Sequence, residues 1–151
     1  MAMLANLLGQ WSGANDFRLM PTDTMETSAA TVTVSFGAGG NLASIGYTWS
    51  HPADGPQQGM LVVGADADGQ AQALWSDTWH QKPGPSVLTG TALPGKQVEL
   101  SATYAGDWEW RIMVDDTVDG VFRLRMDNVV PESYKPGVGA YTAMELTAHR
   151  G

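Results

Sequence analysis

The sequence predicts an all-β chain that folds as an antiparallel up-and-down barrel of about ten strands, opened by a short N-terminal helical turn. Three observations carry this expectation. Apolar residues recur with period two from Trp11 almost to the end of the 151 residues, turn signals interrupt them at short intervals, and no segment sustains a 3.6-residue period.

Each element follows in order. Residues 3–8 set Leu4, Leu7 and Leu8 on one side of a single helical turn. Trp11, Gly13, Asn15, Phe17 and Leu19 then alternate with Gln10, Ser12, Ala14, Asp16 and Arg18, as the two faces of a half-buried strand do. Val32, Val34 and Phe36 form a second apolar face, and Val98, Leu100, Ala102 and Tyr104 a third. Trp108, Trp110, Ile112 and Val114 are followed by Phe122, Leu124 and Met126. Fainter alternation marks 42–50, 59–66, 71–80, 86–92 and 140–148, with the Thr, Val and aromatic content that strands favour. The turns between them, such as Pro52 to Pro56, Asp66 to Gly69 and Asp119-Gly120, suit hairpins, and Pro131 to Gly139 is the one long loop late in the chain. Links this short leave little room for Greek-key crossings. Closure as a barrel is therefore preferred to a sandwich, since it removes sticky edges, and a barrel of this strand number is expected to enclose a cavity.

Composition narrows the function classes. The length suits a single domain, 1–151, and 43% hydrophobic content is too high for disorder. With no cysteine, disulfides, thiol catalysis and thiolate-bound metals are excluded. Sixteen acidic residues against eight basic ones, a net charge of -8, argue against nucleic acid and against anionic membrane surfaces. The start lacks the basic region of a secretory signal, and no stretch approaches a transmembrane helix. A cytoplasmic home is expected, with a periplasmic one open if a signal has been trimmed.

Gly9-Gln10-Trp11, following a short apolar turn and opening the first strand, resembles the Gly-x-Trp signature of the calycin superfamily, which includes lipocalins, fatty-acid-binding proteins and nitrobindin-like barrels. The resemblance implies a barrel whose closed end holds Trp11 beside the turn at 3–8. Leu8 to Gly13, Trp75-Ser76-Asp77, the paired strands Trp110 to Arg125, and Met144-Glu145-Leu146 near Arg150 are also similar to an uncharacterised bacterial family of lipocalin-like barrels. Two departures bear on ligands. Nitrobindin-like proteins place a glycine-rich strand after the motif and hold haem through a late histidine, whereas this strand runs Ala14 to Arg18 and the late His149 stands at the terminus. Fatty-acid-binding proteins carry a two-helix lid, for which Met20 to Ser28 is too short and too Thr-rich. No cofactor is expected.

Several constellations have a functional and an ordinary reading. Arg111, Arg123 and Arg125 look like an anion clamp, but a turn with Gly120 in the left-handed position sets Asp115 against Arg123, Met113 against Arg125 and Arg111 against Asp127. Charges that answer across a ladder read as a solvated outer face. His51, His80 and His149 lack metal-motif spacing, and Asp66 to Gly69 lacks the later ligands of a calcium loop. Met60, Met113, Met126 and Met144 read as core filling before pocket wall. Trp75, Asp77 and Trp79 share one strand face, opposite Leu74, Ser76, Thr78 and His80; which face points inward is open, with a slight lean toward the indoles.

The leading expectation is a non-enzymatic barrel that binds a small apolar or aromatic molecule. Its wall is Trp11, Phe17, Tyr47, Trp49, Trp75, Trp79 and Trp110, with Asn15 and Asp77 as polar anchors. A second reading is a small hydrolase or isomerase using Asp77, its pKa raised by burial, or His51. A third is a dimeric interaction module presenting outward tryptophans.

Overall fold

Period-two alternation becomes a wall with a wet and a dry side. In the computed structural model, which describes residues 3–150, ten antiparallel strands close into a barrel in the order β1-β10-β9-β8-β7-β6-β5-β4-β3-β2. They are β1 (Gly9–Phe17), β2 (Glu26–Gly37), β3 (Leu42–His51), β4 (Gly55–Ala65), β5 (Gln70–Asp77), β6 (Ser86–Thr91), β7 (Val98–Tyr104), β8 (Trp108–Asp115), β9 (Val121–Val130) and β10 (Gly139–Arg150). Every neighbour in the chain is a neighbour in the sheet, and β1 closes on β10 from Trp11↔Arg150 to Phe17↔Met144. Gly13 permits that seam to close tightly: a Cβ there would stand 2.0 Å from the Thr147 carbonyl oxygen.

The inward faces are those the alternation marks. Val32 and Val34, Ile45 and Tyr47, Leu61 and Val63, Val98 and Leu100, Ile112 and Val114, and Phe122, Leu124 and Met126 are all buried. The β8–β9 register is Asp115↔Arg123, Val114↔Leu124, Met113↔Arg125, Ile112↔Met126 and Arg111↔Asp127, as the turn at Gly120 requires. The arginines stand outside, paired as Arg111 with Glu109, Arg123 with Glu145 and Arg125 with Asp127. Met126 and Met144 are in the core, whereas Met60 is exposed.

Three expectations need correction. The strand expected over 71–80 stops at Asp77, because its carboxylate collects the amides of the following turn. Leu19, expected inward, is exposed, since β1 ends at Phe17 and the chain leaves the ladder. Leu8, expected on one side of the N-terminal turn with Leu4 and Leu7, is exposed while they are buried, because the 3-10 turn ends at Leu7 and Leu8 leads out toward β1. Branched and aromatic side chains fill the barrel from the end closed by the 3-10 turn Ala5–Leu7, and a cavity lies toward the opposite end.

A feature without sequence signature shapes that open end. The β9–β10 register shifts between Thr142 and Met144, a β-bulge. Beyond it Met144, Leu146 and Ala148 are the buried set, while before it Tyr141 and Ala143 line the remaining space.

Candidate functional site

The two ends of the barrel differ in chemistry. At the closed end Trp11 donates its indole N–H to the Leu7 carbonyl at 2.8 Å, packs 6.2 Å from Phe122, and lies under the Arg150 guanidinium, 4.2 Å from its carbon. Arg150 in turn donates to the carbonyls of Asn6 and Leu8. Leu4, Leu7 and Trp11 are all buried, so this end is a plug.

The other end, where loops 18–25, 52–54, 78–85, 105–107 and 131–138 emerge, holds a cavity of about 210 Å³. Phe17, Trp75, Trp79, His80 and Trp110 supply its aromatic wall, and Arg18, Gln81, Ser86, Tyr104, Asn128 and Tyr141 its polar one. Leu19 and Tyr104, also on its wall, are exposed, so the cavity opens to solvent. Ser86, Ala102 and Tyr104 lie on the open side of Thr89↔Ser101, the last rung that joins β6 to β7. The volume exceeds the ~150 Å³ that accommodates benzene and falls short of the ~300–1,000 Å³ of drug-sized pockets. One or two fused rings fit it.

The packing behind the cavity wall is built around Asp77. Tyr47, Gly59 and Asp77 form one inward row across β3, β4 and β5. Because Gly59 has no side chain, the Tyr47 ring lies over it and its hydroxyl reaches Asp77 Oδ2 at 3.3 Å, while accepting the Trp75 indole N–H at 2.9 Å. Asp77 Oδ1 accepts the amides of Trp79, His80 and Gln81, which curls the chain after β5. The curl carries His80 inward, although strand parity would have put it opposite Asp77. Its Nδ1 donates to Asp77 Oδ2 at 2.7 Å, leaving Nε2 without a partner; in the neutral ring that nitrogen is a free lone pair.

Electrostatics follow from this geometry. Burial alone pushes the Asp77 carboxyl up, but the hydrogen bond and charge of His80, joined by the Gln81 and Trp79 amides, outweigh it and hold the group below its ordinary 3.8. The raised value expected for a buried Asp is thus reversed, because burial arrived with donors. Tyr47 moves the other way: burial first, then the Asp77 charge, keep its phenol protonated well above 10.

The rings make a continuous cluster. Trp75 and Trp110 stack at 5.5 Å with 6° between planes, and His80 lies 5.4 Å from Trp110. Phe17 stands 5.0 Å from Trp49 and 4.9 Å from Trp79, on which His51 stacks at 4.9 Å. Trp79 is tied to the β3–β4 turn through its indole N–H to Asp54. Opposite, Tyr104 donates to Asn128 Oδ1, Asn128 donates to the Tyr141 hydroxyl, and Tyr141 donates to the Leu19 carbonyl.

Of the residues singled out from sequence, Phe17, Trp75, Trp79 and Trp110 line the cavity. Tyr47, Trp49 and Asp77 are buried against that wall, the last beneath His80. Trp11 belongs to the closed end. Asn15 is wholly buried in β1 outside the cavity wall, and neither amide atom has a partner; Trp49 Nε1 and Trp110 Nε1 are likewise unpartnered. No tryptophan side chain is among the exposed large apolar ones, which on adjacent strands include Met60, Leu74 and Val87.

Sequence reasoning passed over Arg18, His80, Tyr104, Asn128 and Tyr141 as site residues. Two had a signal: Tyr104 continues the Val98, Leu100, Ala102 face, and Asn128 continues Phe122, Leu124, Met126. The other three depend on a strand end, a turn and a bulge.

His51 and His80 each stand beside Trp49 toward the open end, whereas His149 is on β10 opposite Ser12, near the closed one. Among the described residues no group of three His, Asp or Glu is placed to hold a metal, and no helix is long and apolar enough to cross a membrane. Compared with known proteins, the chain matches no protein-family model and no curated protein sequence.

Proposed function

We propose that the protein is a non-enzymatic, calycin-like binding barrel for a small aromatic molecule of one or two rings. The observation that carries this reading is the cavity itself. Three indoles and a phenyl ring line a space of about 210 Å³ open at one end, with Arg18, Ser86, Tyr104 and Tyr141 among its polar lining. Apolar walls with a few convergent polar atoms are the pattern of small-molecule sites. The calycin-like assignment is supported by Trp11 in the plug beside the N-terminal turn. Titration of tryptophan fluorescence with one- and two-ring aromatics, flavins, haem and lipids tests it. Saturable quenching by small aromatics is expected; no response to any of them overturns it.

A second reading has one specific observation in its favour, the Asp77–His80 pair. A carboxylate that orients an imidazole on a cavity wall is the arrangement of a general base. In a hydrolase or isomerase, His80 Nε2 would take the proton and Asp77 would hold the ring. Turnover of activated aryl esters or enolisable aryl ketones that His80→Gln abolishes supports it; turnover equal in both proteins, or none, discards it.

A further inference from the structure

We infer that the ligand is an anion, an aromatic carboxylate whose ring lies among Trp75, Trp79 and Trp110 and whose charge meets Arg18. This rests on the aromatic-binding reading above and adds the charge. In a chain with sixteen acidic residues, none of those that line the cavity is Asp or Glu, and one is Arg18. Asp77, the nearest buried carboxylate, is fully shielded and already engaged by His80, Tyr47 and the turn amides.

Arg18 is held but not neutralised. Its Nε donates to the Thr142 carbonyl at 2.8 Å and one terminal nitrogen to the Pro21 carbonyl at 3.1 Å, with Tyr141 5.8 Å below the guanidinium. The arginines on β8 and β9 each have a carboxylate within 4.0 Å, whereas Arg18 has none among the described residues. Among those residues Arg150 also has none, but it is spent on the plug at the other end. Carbonyl bonds fix a guanidinium in place while leaving its full charge, and part of its donor fork, for an anion.

A cation entering this space would meet Arg18 and no carboxylate. A neutral aromatic would leave that charge unanswered in a partly dry site. A planar acid answers both: indole faces take the ring, and Arg18 takes the carboxylate. The net charge of -8 disfavours anions at long range, so the local cation is what admits one. A ring rather than a long acyl chain is indicated by the volume and by the stacked indoles.

Calorimetric titration with 2-naphthoate, 2-naphthamide and palmitate is the test. The naphthoate is expected to bind on the order of tenfold more tightly than the isosteric amide, as a charge-assisted pair implies. That advantage should vanish in Arg18→Gln, persist in part in Arg18→Lys, and shrink as salt is raised. Equal affinity for acid and amide, or a preference that survives both Arg18→Gln and high salt, overturns the anion inference while the aromatic reading stands. Palmitate binding more tightly than naphthoate overturns the ring. Binding of neither naphthalene compound overturns the aromatic reading and, with it, this one.

Discussion

Tyr47 occupies the space that a side chain at residue 59 would need. A Cβ on Gly59 would stand 2.2 Å from Tyr47 Cζ and 2.8 Å from the Asp77 Cβ. An empty position on β4 thus lets groups from β3 and β5 touch, and the hydrogen-bonded packing beneath His80 depends on it. Gly59→Ala should destabilise the protein by about 1–3 kcal/mol, the scale of overpacking in a filled core. Urea unfolding measures it; an unchanged midpoint would mean that the ring has other room.

Part of the acid limb of stability should belong to Asp77. Its carboxyl is held below 3.8 in the fold, so the stabilisation is fully present above that value and is lost as pH falls through the folded pKa. Asp77→Asn should cost about 1.5–3 kcal/mol near neutral pH, the worth of hydrogen bonds to a charged group. The gap between variant and parent should then close in acid below 3.8. A gap constant with pH would show that the loss is packing rather than charge.

Tyr47 sets the opposite limb. Its folded pKa is raised, so its contribution is intact below the unfolded value of 10.0 and falls as pH climbs above it. Spectrophotometric titration of the four tyrosines should show one that ionises only as the protein unfolds, and Tyr47→Phe should remove it. If all four ionise before unfolding, the buried phenol is not protected as described.

Trp110 lines the cavity with its ring stacked on Trp75. Trp110→Leu keeps an apolar wall and deletes the ring face. Affinity for an aromatic acid should fall about three- to tenfold, the worth of one aromatic pair. Calorimetry reads it, and an unchanged affinity would place the ligand away from that ring.

Asn15 is buried with both amide atoms unpartnered. Replacing such a group by an apolar one of similar size removes a desolvation cost of about 1–3 kcal/mol. Asn15→Leu should raise the thermal midpoint accordingly. A lowered midpoint in calorimetry would reveal a hydrogen bond that holds the native state together there.

The barrel wall was legible residue by residue because alternation is a property of the strand itself. Val32 and Val34, Leu124 and Met126, and the Asp115↔Arg123 rung all follow from a period of two and a turn with glycine at 120. Of the site, Phe17, Trp75 and Trp110 were legible by that rule, and Trp79 keeps the expected side although β5 has ended two residues before it.

It failed where tertiary hydrogen bonds override parity. His80 faces inward because the Asp77 carboxylate takes three amides and ends β5; Tyr141 and Ala143 do so because β10 gains a bulge against β9. Arg18 reaches the cavity because β1 stops one residue earlier and carbonyls from 21 and 142 catch its side chain. By itself, then, the sequence determined an acidic, cysteine-free chain of alternating strands joined by tight turns, since each follows from local composition and backbone period. Only the tertiary structure decided that the tryptophans divide between a plug and a cavity. It also decided that one cation and no carboxylate would line that cavity, because both depend on where strands end and what meets across the barrel.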